Sequence, residues 1–197
     1  RDDLADIRRL LAHRTVRTVL DVGANVGYET DRYLRAFPTA TVHAFEPAPA
    51  AFARLAAAYG DHPRVVLHEA AAGDHGGRTT LRIDDRVFAG GANSLLAHGP
   101  RFLADQAHAR YREEAVDVVR LDEVCRSAGV DHVDLLKLDV EGAELLALAG
   151  ADDLLARGAI DVVDVEVRAL PDFEGQPLIE DVLTALAGHG YRLYNLY

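Results

Sequence analysis

Methionine and tryptophan are absent from this 197-residue sequence, and cysteine occurs once, at Cys125. A single thiol rules out an internal disulfide and fits a reducing, cytoplasmic compartment. Cys125 falls in an apolar helical pattern, as a small core residue would, rather than in the setting of a nucleophile. The missing methionine suggests that a native start lies upstream. Long hydrophobic runs are also missing: none approaches the roughly 20 residues that span a bilayer, and no secretory pattern is visible. Basic residues are scarce, 21 Lys plus Arg against 32 Asp plus Glu, for a net charge of -11. A nucleic-acid footprint needs a clustered basic face, so that partner class is disfavoured, and the acidity reads as solubility. What is present is a 49% hydrophobic composition, enough for one sizeable core and one domain, residues 1–197. Richness in Ala, Arg, Val and Leu suggests a GC-rich bacterial genome.

Strand-like and helix-like patterns alternate along most of the chain. Helical spacing is predicted for 3–13, 29–37, 50–59, 122–128, 141–149 and 178–189, and strands for 18–22, 41–45, 64–68, 115–121, 133–138, 160–167 and 191–197. Between about 75 and 120 the rhythm breaks. An alternating strand at 78–83 is followed by an irregular stretch with glycines at 90, 91 and 99 and a proline at 100, which reads as a lid-like insertion. Repeated strand–helix–strand units imply an α/β fold, a mostly parallel sheet covered on both faces. Such sheets bind ligands beyond the carboxyl ends of their strands, where Asp21, Glu46, Asp139 and Glu166 all fall.

The densest signal is Val19-Leu-Asp-Val-Gly-Ala-Asn-Val-Gly-Tyr-Glu-Thr30. An apolar strand ends in an acid, then come two glycines four apart, then a helical segment. Glycine permits the turn and lets backbone approach a ligand closely. The spacing is not the Gly-x-Gly-x-x-Gly of a dinucleotide fingerprint, and a strand-end acid suits a cationic or hydroxyl-rich ligand better than a pyrophosphate. S-adenosylmethionine therefore fits better than NAD. Glu46, one strand–helix–strand unit further on, is placed to accept both hydroxyls of a ribose. In Asp134-Leu-Leu-Lys-Leu-Asp-Val-Glu-Gly-Ala-Glu144, a second apolar strand delivers Asp139 and Glu141 to its carboxyl end. Acids there can bind a cation, steer a sulfonium or receive a proton; Glu144 can equally serve a helix N-terminus.

Taken in order, Asp21-Val-Gly-Ala-Asn-Val-Gly27, Phe45-Glu46-Pro47, Asn93-Ser94-Leu95, Leu121-Asp122-Glu123 and Lys137-Leu-Asp-Val-Glu-Gly-Ala-Glu144 closely resemble FkbM-type methyltransferases, from about Thr18 to Val167. The resemblance implies a Rossmann-like class I methyltransferase fold, with a mostly parallel seven-stranded sheet and an antiparallel last strand at 191–197. It implies a cytoplasmic S-adenosylmethionine-dependent O-methyltransferase, acting on a hydroxyl or carboxyl of a sugar or small natural product and releasing S-adenosylhomocysteine. By position, Asp21, Gly23, Asn25 and Gly27 would wrap the methionine part, and Thr30 would reach its carboxylate. Glu46 would hold the ribose, Ala70 and Ala71 would flank the adenine, and Asp139 would sit beside the amino group or sulfonium. Ala24, Tyr28 and Pro47 complete the expected cofactor contacts, and Ser94 would touch cofactor or acceptor.

The reaction would be in-line displacement at the sulfonium methyl, driven mostly by alignment and desolvation. Glu141, His98 and Glu166 are the candidate bases, in that order, and His108, Arg110 and Tyr111 share the insertion with His98. No residues are assigned to a metal. An alternative left open is Mg²⁺ or Ca²⁺ at Asp139, Glu141 and Glu166, lowering the acceptor's pKa. Two other readings stand beside the enzyme, an NAD-type oxidoreductase and a non-catalytic S-adenosylmethionine-binding module. The expected partner is a small-molecule acceptor; oligomeric state is not legible.

Overall fold

Apolar runs without alternation build the centre of the sheet. The computed structural model describes residues 3–84, 93–105 and 111–197. Strands β1 (Thr18–Val22), β2 (Thr41–Phe45) and β3 (Val65–His68) pair in parallel in that succession. β4 (Ala71–Ala72), β5 (Gly77–Asp84) and β6 (Tyr111–Val119) follow, then β7 (Val133–Leu138) and β8 (Ile160–Val165). β7 returns to pair with the other edge of β1, and β8 pairs with β7, giving a five-stranded parallel sheet in the order β3-β2-β1-β7-β8. The chain thus leaves β1 in one direction and later resumes on its other side. That reversal between β1 and β7 opens the crevice where such sheets take ligands.

All six residues of β7 are buried, as expected for a strand covered on both faces. On one face α1 (Asp3–Leu10) and α2 (Tyr28–Ala36) bring Ile7, Tyr33 and Leu34 against Val19, Val42 and Leu135. On the other, α5 (Leu121–Ser127), α6 (Glu144–Ala149), α7 (Asp152–Ala156) and α8 (Ile179–Gly188) cover Leu20, Val22, Leu136 and Leu138. α3 (Pro49–Tyr59) starts on a proline, whose fixed φ suits a first helical turn, and sets Leu55 against Ala24 and Ala44. Asp122 is buried because its two oxygens accept the Asp153 and Leu154 N–H groups at 3.1 Å each, capping α7 from a distance.

Four expectations change. The sheet has five strands, not seven, among the described residues: β5 and β6 form an antiparallel hairpin, joined by β4 into a separate three-stranded sheet. Residues 191–197 form no strand. They turn towards α1, where Asn195 Nδ2 and the Tyr197 hydroxyl donate to Asp6 Oδ2 at 2.9 and 2.5 Å, so they never align with the edge of β8. The helix expected from residue 141 begins only at Glu144, because Glu141 and Gly142 have φ of 49° and 99°, and left-handed backbone cannot continue into an α-helix. Within the irregular stretch, Pro100 opens a short helix, α4 (Pro100–Asp105).

The segment after residue 92 is stitched down. Ser94 and Arg82 exchange backbone hydrogen bonds at 3.0 and 2.9 Å, and Gly99 and Glu174 N–H groups donate to Asp172 and Ala97 carbonyls at 2.7 Å each. Residues 93–99 therefore form a fixed wall between the hairpin and the segment after β8.

Gly23 has φ +86°, and a Cβ there would lie 1.8 Å from the Asp139 carbonyl oxygen. Gly23→Ala should destabilise the protein by about 2 kcal/mol or more in urea unfolding. Gly188, at the end of α8 with nothing within 4 Å of an added Cβ, is the control: Gly188→Ala should leave stability unchanged or raise it by up to about 1 kcal/mol.

Candidate active site

A cavity of about 330 Å³ opens over the β1–β7 crevice. Its floor is the glycine turn, with Gly23, Ala24 and Asn25, followed by Tyr28 and Glu29 at the start of α2. Phe45, Glu46 and Pro47 come from the tip of β2, and Ala70, Ala71 and Ala72 from the region of β4. Asp139, Val140, Glu141 and Ala143 enter from the turn after β7, and Glu166 from the tip of β8. Leu81, Asn93 and Leu95 close it from the hairpin side.

The turn spends its first donors on the neighbouring strand. Gly23 and Ala24 N–H groups both donate to the Phe45 carbonyl, at 3.0 and 2.9 Å. Asn25 takes a left-handed φ of 51°, which asparagine tolerates better than most residues, and its N–H donates to Glu46 Oε2 at 2.9 Å. The other Glu46 oxygen accepts Ala48 N–H at 2.8 Å. Glu46 is thus a buried carboxyl fixed by two peptide groups and facing the cavity. Burial dominates its titration and pushes its pKa up to about 7, against the pull of those two hydrogen bonds. Asn25 Oδ1 is buried and has no protein partner.

Asp21 and Thr30 lie one layer below. Both are buried, and the Thr30 hydroxyl donates to Asp21 Oδ2 at 2.5 Å. Burial raises the Asp21 pKa to about 6, with the Thr30 hydrogen bond and the Lys137 charge opposing it. The pair satisfies itself and supports the floor. Gly27 too lies beneath, where its Cα faces Tyr59 and Leu55.

The far end of the cavity is a carboxylate cluster. Single oxygens of Asp139, Glu141 and Glu166 lie within 4.8 Å of one another. Two cations face them. Lys137 Nζ stands 3.5 Å from Asp139 Oδ2, and Arg168 Nη2 stands 3.3 Å from Glu141 and 3.4 Å from Glu166. Hydrogen bonding with the neighbouring Asp139 carboxyl, ahead of burial, raises the Glu166 pKa to about 7. For Asp139, burial works upwards but is outweighed by the Glu166 bond and Lys137, so it stays below its usual range. Glu141 is raised to about 7 by burial first and by Glu166 second, with Arg168 opposing. Lys137 and Arg168 thus offset part of the cluster's negative charge. Glu144 turns back to accept Gly142 N–H at 3.0 Å, bracing the turn.

The structure thus brings Gly23, Ala24, Asn25, Tyr28, Glu46, Pro47, Ala70, Ala71, Asp139, Glu141 and Glu166 around one cavity. Asp21, Gly27, Thr30 and Ser94 support it from behind: Ser94 Oγ donates to the Glu141 carbonyl at 2.6 Å. His98 does not line the cavity. It is buried in an aromatic cluster, with ring centres 3.8 Å from Tyr111, 4.9 Å from Phe102 and 5.4 Å from Phe173. That enclosure, formed by residues distant in sequence, keeps it off the cavity lined by Glu141 and Glu166. His108 and Arg110 lie outside the described residues. Sequence reasoning passed over Arg168 and Glu29. Arg168 stands two residues beyond a strand-end acid, and Glu29 directly follows Tyr28 in the first turn of α2; both positions were visible.

Residues 21–193 match the family model described as the Methyltransferase FkbM domain. The chain belongs to the FkbM methyltransferase family. Among FkbM-related proteins it is 29% identical over 172 residues to 2-O-methyltransferase NoeI of Sinorhizobium fredii (strain NBRC 101917 / NGR234), covering 85% of this chain and 70% of that one. It is 33% identical over 193 residues to 31-O-demethyl-FK506 methyltransferase FkbM of Streptomyces tacrolimicus, covering 88% and 72%. It is 32% identical over 176 residues to Methyltransferase 1 of Beauveria bassiana (strain ARSEF 2860), covering 80% and 66%. FkbM membership makes the domain a methyltransferase and sets aside the nicotinamide reading. No helix among the described residues is long and apolar enough to cross a membrane.

Burial raises Glu46 and Glu141 from 4.5 to about 7, so folding retains protons at both. The stability they contribute is whole below about pH 4.5 and is lost as pH rises through about 7. Ligand-free protein should be less stable in urea at about pH 8 than at about pH 5.5, by about 1–3 kcal/mol, and Glu141→Gln should narrow that gap.

Proposed function

We propose that this methyltransferase uses S-adenosylmethionine and transfers its methyl group to an oxygen of a small hydroxyl-bearing molecule. The observation that carries the reading is the donor set of the cavity. A buried Glu46 is pinned by two peptide N–H groups, leaving lone pairs directed at the crevice, and Asn25 supplies a buried oxygen with no protein partner. These are acceptors suited to a vicinal diol and an ammonium group, and a nucleoside amino acid carries both. Two of the relatives have names that specify O-methylation, which favours oxygen as the receiving atom.

In this reading Glu46 accepts the two ribose hydroxyls, while Phe45, Ala70 and Ala71 give the adenine an apolar slot. Asn25 Oδ1 and the Asp139 carboxylate take the amino group. S-adenosylmethionine, once bound, supplies an electrophilic methyl on a good leaving group. The chain's own residues align the acceptor oxygen and exclude water. Glu141 then receives the acceptor's proton, its elevated pKa near neutrality suiting that transfer. Arg168 holds the Glu141 carboxylate in place. The acceptor side is bounded by Leu81, Asn93 and Leu95. No metal is invoked: Lys137 and Arg168 already face the acids.

Two measurements test this. Glu46→Ala should weaken S-adenosylhomocysteine binding by about 1–3 kcal/mol in calorimetry, the cost of leaving charged hydrogen bonds unmade; unchanged affinity removes Glu46 from the ribose site. Glu141→Gln should keep affinity for the nucleoside within about twofold yet cut transfer of labelled methyl into a panel of sugar acceptors by about 10²–10⁴-fold. Binding by the wild type without transfer to any acceptor would favour the non-catalytic module.

A further inference from the structure

We propose that Asn93 selects the methyl acceptor. Its side-chain amide donates a hydrogen bond to a second hydroxyl, on the carbon next to the one that is methylated, so the acceptor is a vicinal diol and not an isolated alcohol. The inference rests on the methyl-transfer reading above and deepens it with a substrate class and a specificity-determining residue.

The orientation of the amide follows from its neighbour. The Asp84 N–H, at the end of β5, lies 3.2 Å from the Asn93 amide and can only donate, so the atom facing it is Oδ1. Nδ2 is then the other end of the amide. Its two N–H groups have no protein partner among the described residues, and Asn93 lines the cavity. The backbone that carries it is held from several sides. Ser94 and Arg82 exchange backbone hydrogen bonds at 3.0 and 2.9 Å, and Arg82 Nη1 donates to the Leu95 carbonyl at 3.1 Å. Ser94 Oγ accepts the Leu96 N–H at 3.0 Å and donates to the Glu141 carbonyl at 2.6 Å. That last bond ties the residue after Asn93 to the turn that carries Glu141, so the amide donor and the proton acceptor belong to one braced wall. A donor held in this way has little freedom left to lose when a ligand arrives.

The chemistry of the wall then decides what fits. Glu46, Asp139, Glu141 and Glu166 line the cavity as carboxyl groups, which when ionised only accept. On the hairpin side the lining is Leu81, Asn93 and Leu95, so Asn93 is the polar side chain of that wall among the described residues. An alcohol with a single hydroxyl gives its proton to Glu141 and leaves the Asn93 amide unmet between two leucines. The amide cannot serve the attacking oxygen without engaging the lone pair that must reach the methyl carbon. A hydroxyl on the next carbon meets both demands. Its oxygen accepts from Nδ2, and the reacting hydroxyl keeps its lone pair for the methyl group. The bond from acceptor oxygen to methyl carbon forms, the bond from that carbon to the sulfonium breaks with its electron pair returning to sulfur, and the proton passes to Glu141. A site whose polar group needs a partner rejects analogues that lack one.

Transfer of labelled methyl from S-adenosylmethionine into methyl pyranosides tests the inference, each compared with the monodeoxy analogue that lacks the hydroxyl beside the methylated one. In the wild type kcat/KM should favour the intact pyranoside by about tenfold. Asn93→Asp keeps an oxygen for the Asp84 N–H and loses the donor, so that preference should fall to within about twofold of unity. Its affinity for S-adenosylhomocysteine should stay within about twofold of the wild type. Equal use of the two acceptors by the wild type overturns the inference, and so does a preference that survives in Asn93→Asp. A tenfold loss of S-adenosylhomocysteine affinity in the variant overturns it as well, because the amide then serves the cofactor. If Asn93→Asp fails to fold, Asn93→Ala carries the same expectations. Wild-type protein that binds S-adenosylhomocysteine and methylates isolated alcohols but no diol overturns this inference alone. Protein that does not bind the nucleoside, or binds it and methylates nothing, overturns the methyl-transfer reading and this inference with it.

Discussion

The contact between Gly23 and the peptide of Asp139 is the constraint on which the rest of the site depends. The tips of β1 and β7 approach so closely that even a methyl group on residue 23 has no room. Asp139 N–H donates to the Val22 carbonyl at 3.0 Å, so the two tips are also hydrogen-bonded. One side of this junction carries the chain onwards to β2 and Glu46, and the other to β8 and Glu166. The two halves of the sheet can present their carboxyl groups to a single cavity only because they meet here without a side chain between them. Gly23 also turns the backbone through a positive φ that few other residues adopt, so the same residue meets the steric and the conformational demand.

Placing so many acids together costs electrostatic energy, and the structure offsets it in two layers. Below the floor, Asp21 is met by the Thr30 hydroxyl and the Lys137 charge. At the wall, Lys137 and Arg168 lie against Asp139, Glu141 and Glu166, and the raised pKa values of Glu141 and Glu166 ease the remaining repulsion. Burial drives the shifts at Glu46 and Glu141 and the hydrogen bond to Asp139 drives that at Glu166, so different groups arrive near neutrality for different physical reasons. Perturbed groups gathered at strand ends mark this crevice as the functional-site candidate.

Much of this was legible in the sequence because strand ends announce themselves. Val19-Leu-Asp-Val-Gly and Leu135-Leu-Lys-Leu-Asp each pass from an unbroken apolar run to an acid and a turn, and both became central strands with carboxyl groups at the crevice. Periodicity carries no such information about backbone hand. Glu141 looks like the first residue of an amphipathic helix, yet it takes a left-handed φ of 49°, in a turn that lies against Leu96 and Phe173, residues remote in sequence. The surroundings of His98 were hidden for a related reason. It stands in a stretch without pattern, and only the folded chain shows Phe102, Tyr111 and Phe173 around its ring. Residues 191–197 alternate as a strand would, but Asp6 on α1 supplies acceptors that draw them away from a ladder.

The turn after β7 shows how the insertion and the chemistry are joined. A non-glycine residue at φ 49° is strained by about 1–3 kcal/mol. The fold must hold Glu141 there from outside, and it does so at three points. Ser94 donates to its carbonyl, Arg168 grips its carboxylate, and Glu144 anchors the following N–H. Ser94 belongs to a segment fixed to the hairpin through Arg82 and to the loop after β8 through Gly99 and Glu174. The wall that bounds the cavity is therefore also the brace that keeps Glu141 in its left-handed conformation. A change in that wall alters the position of Glu141 as well as the shape of the cavity beside it.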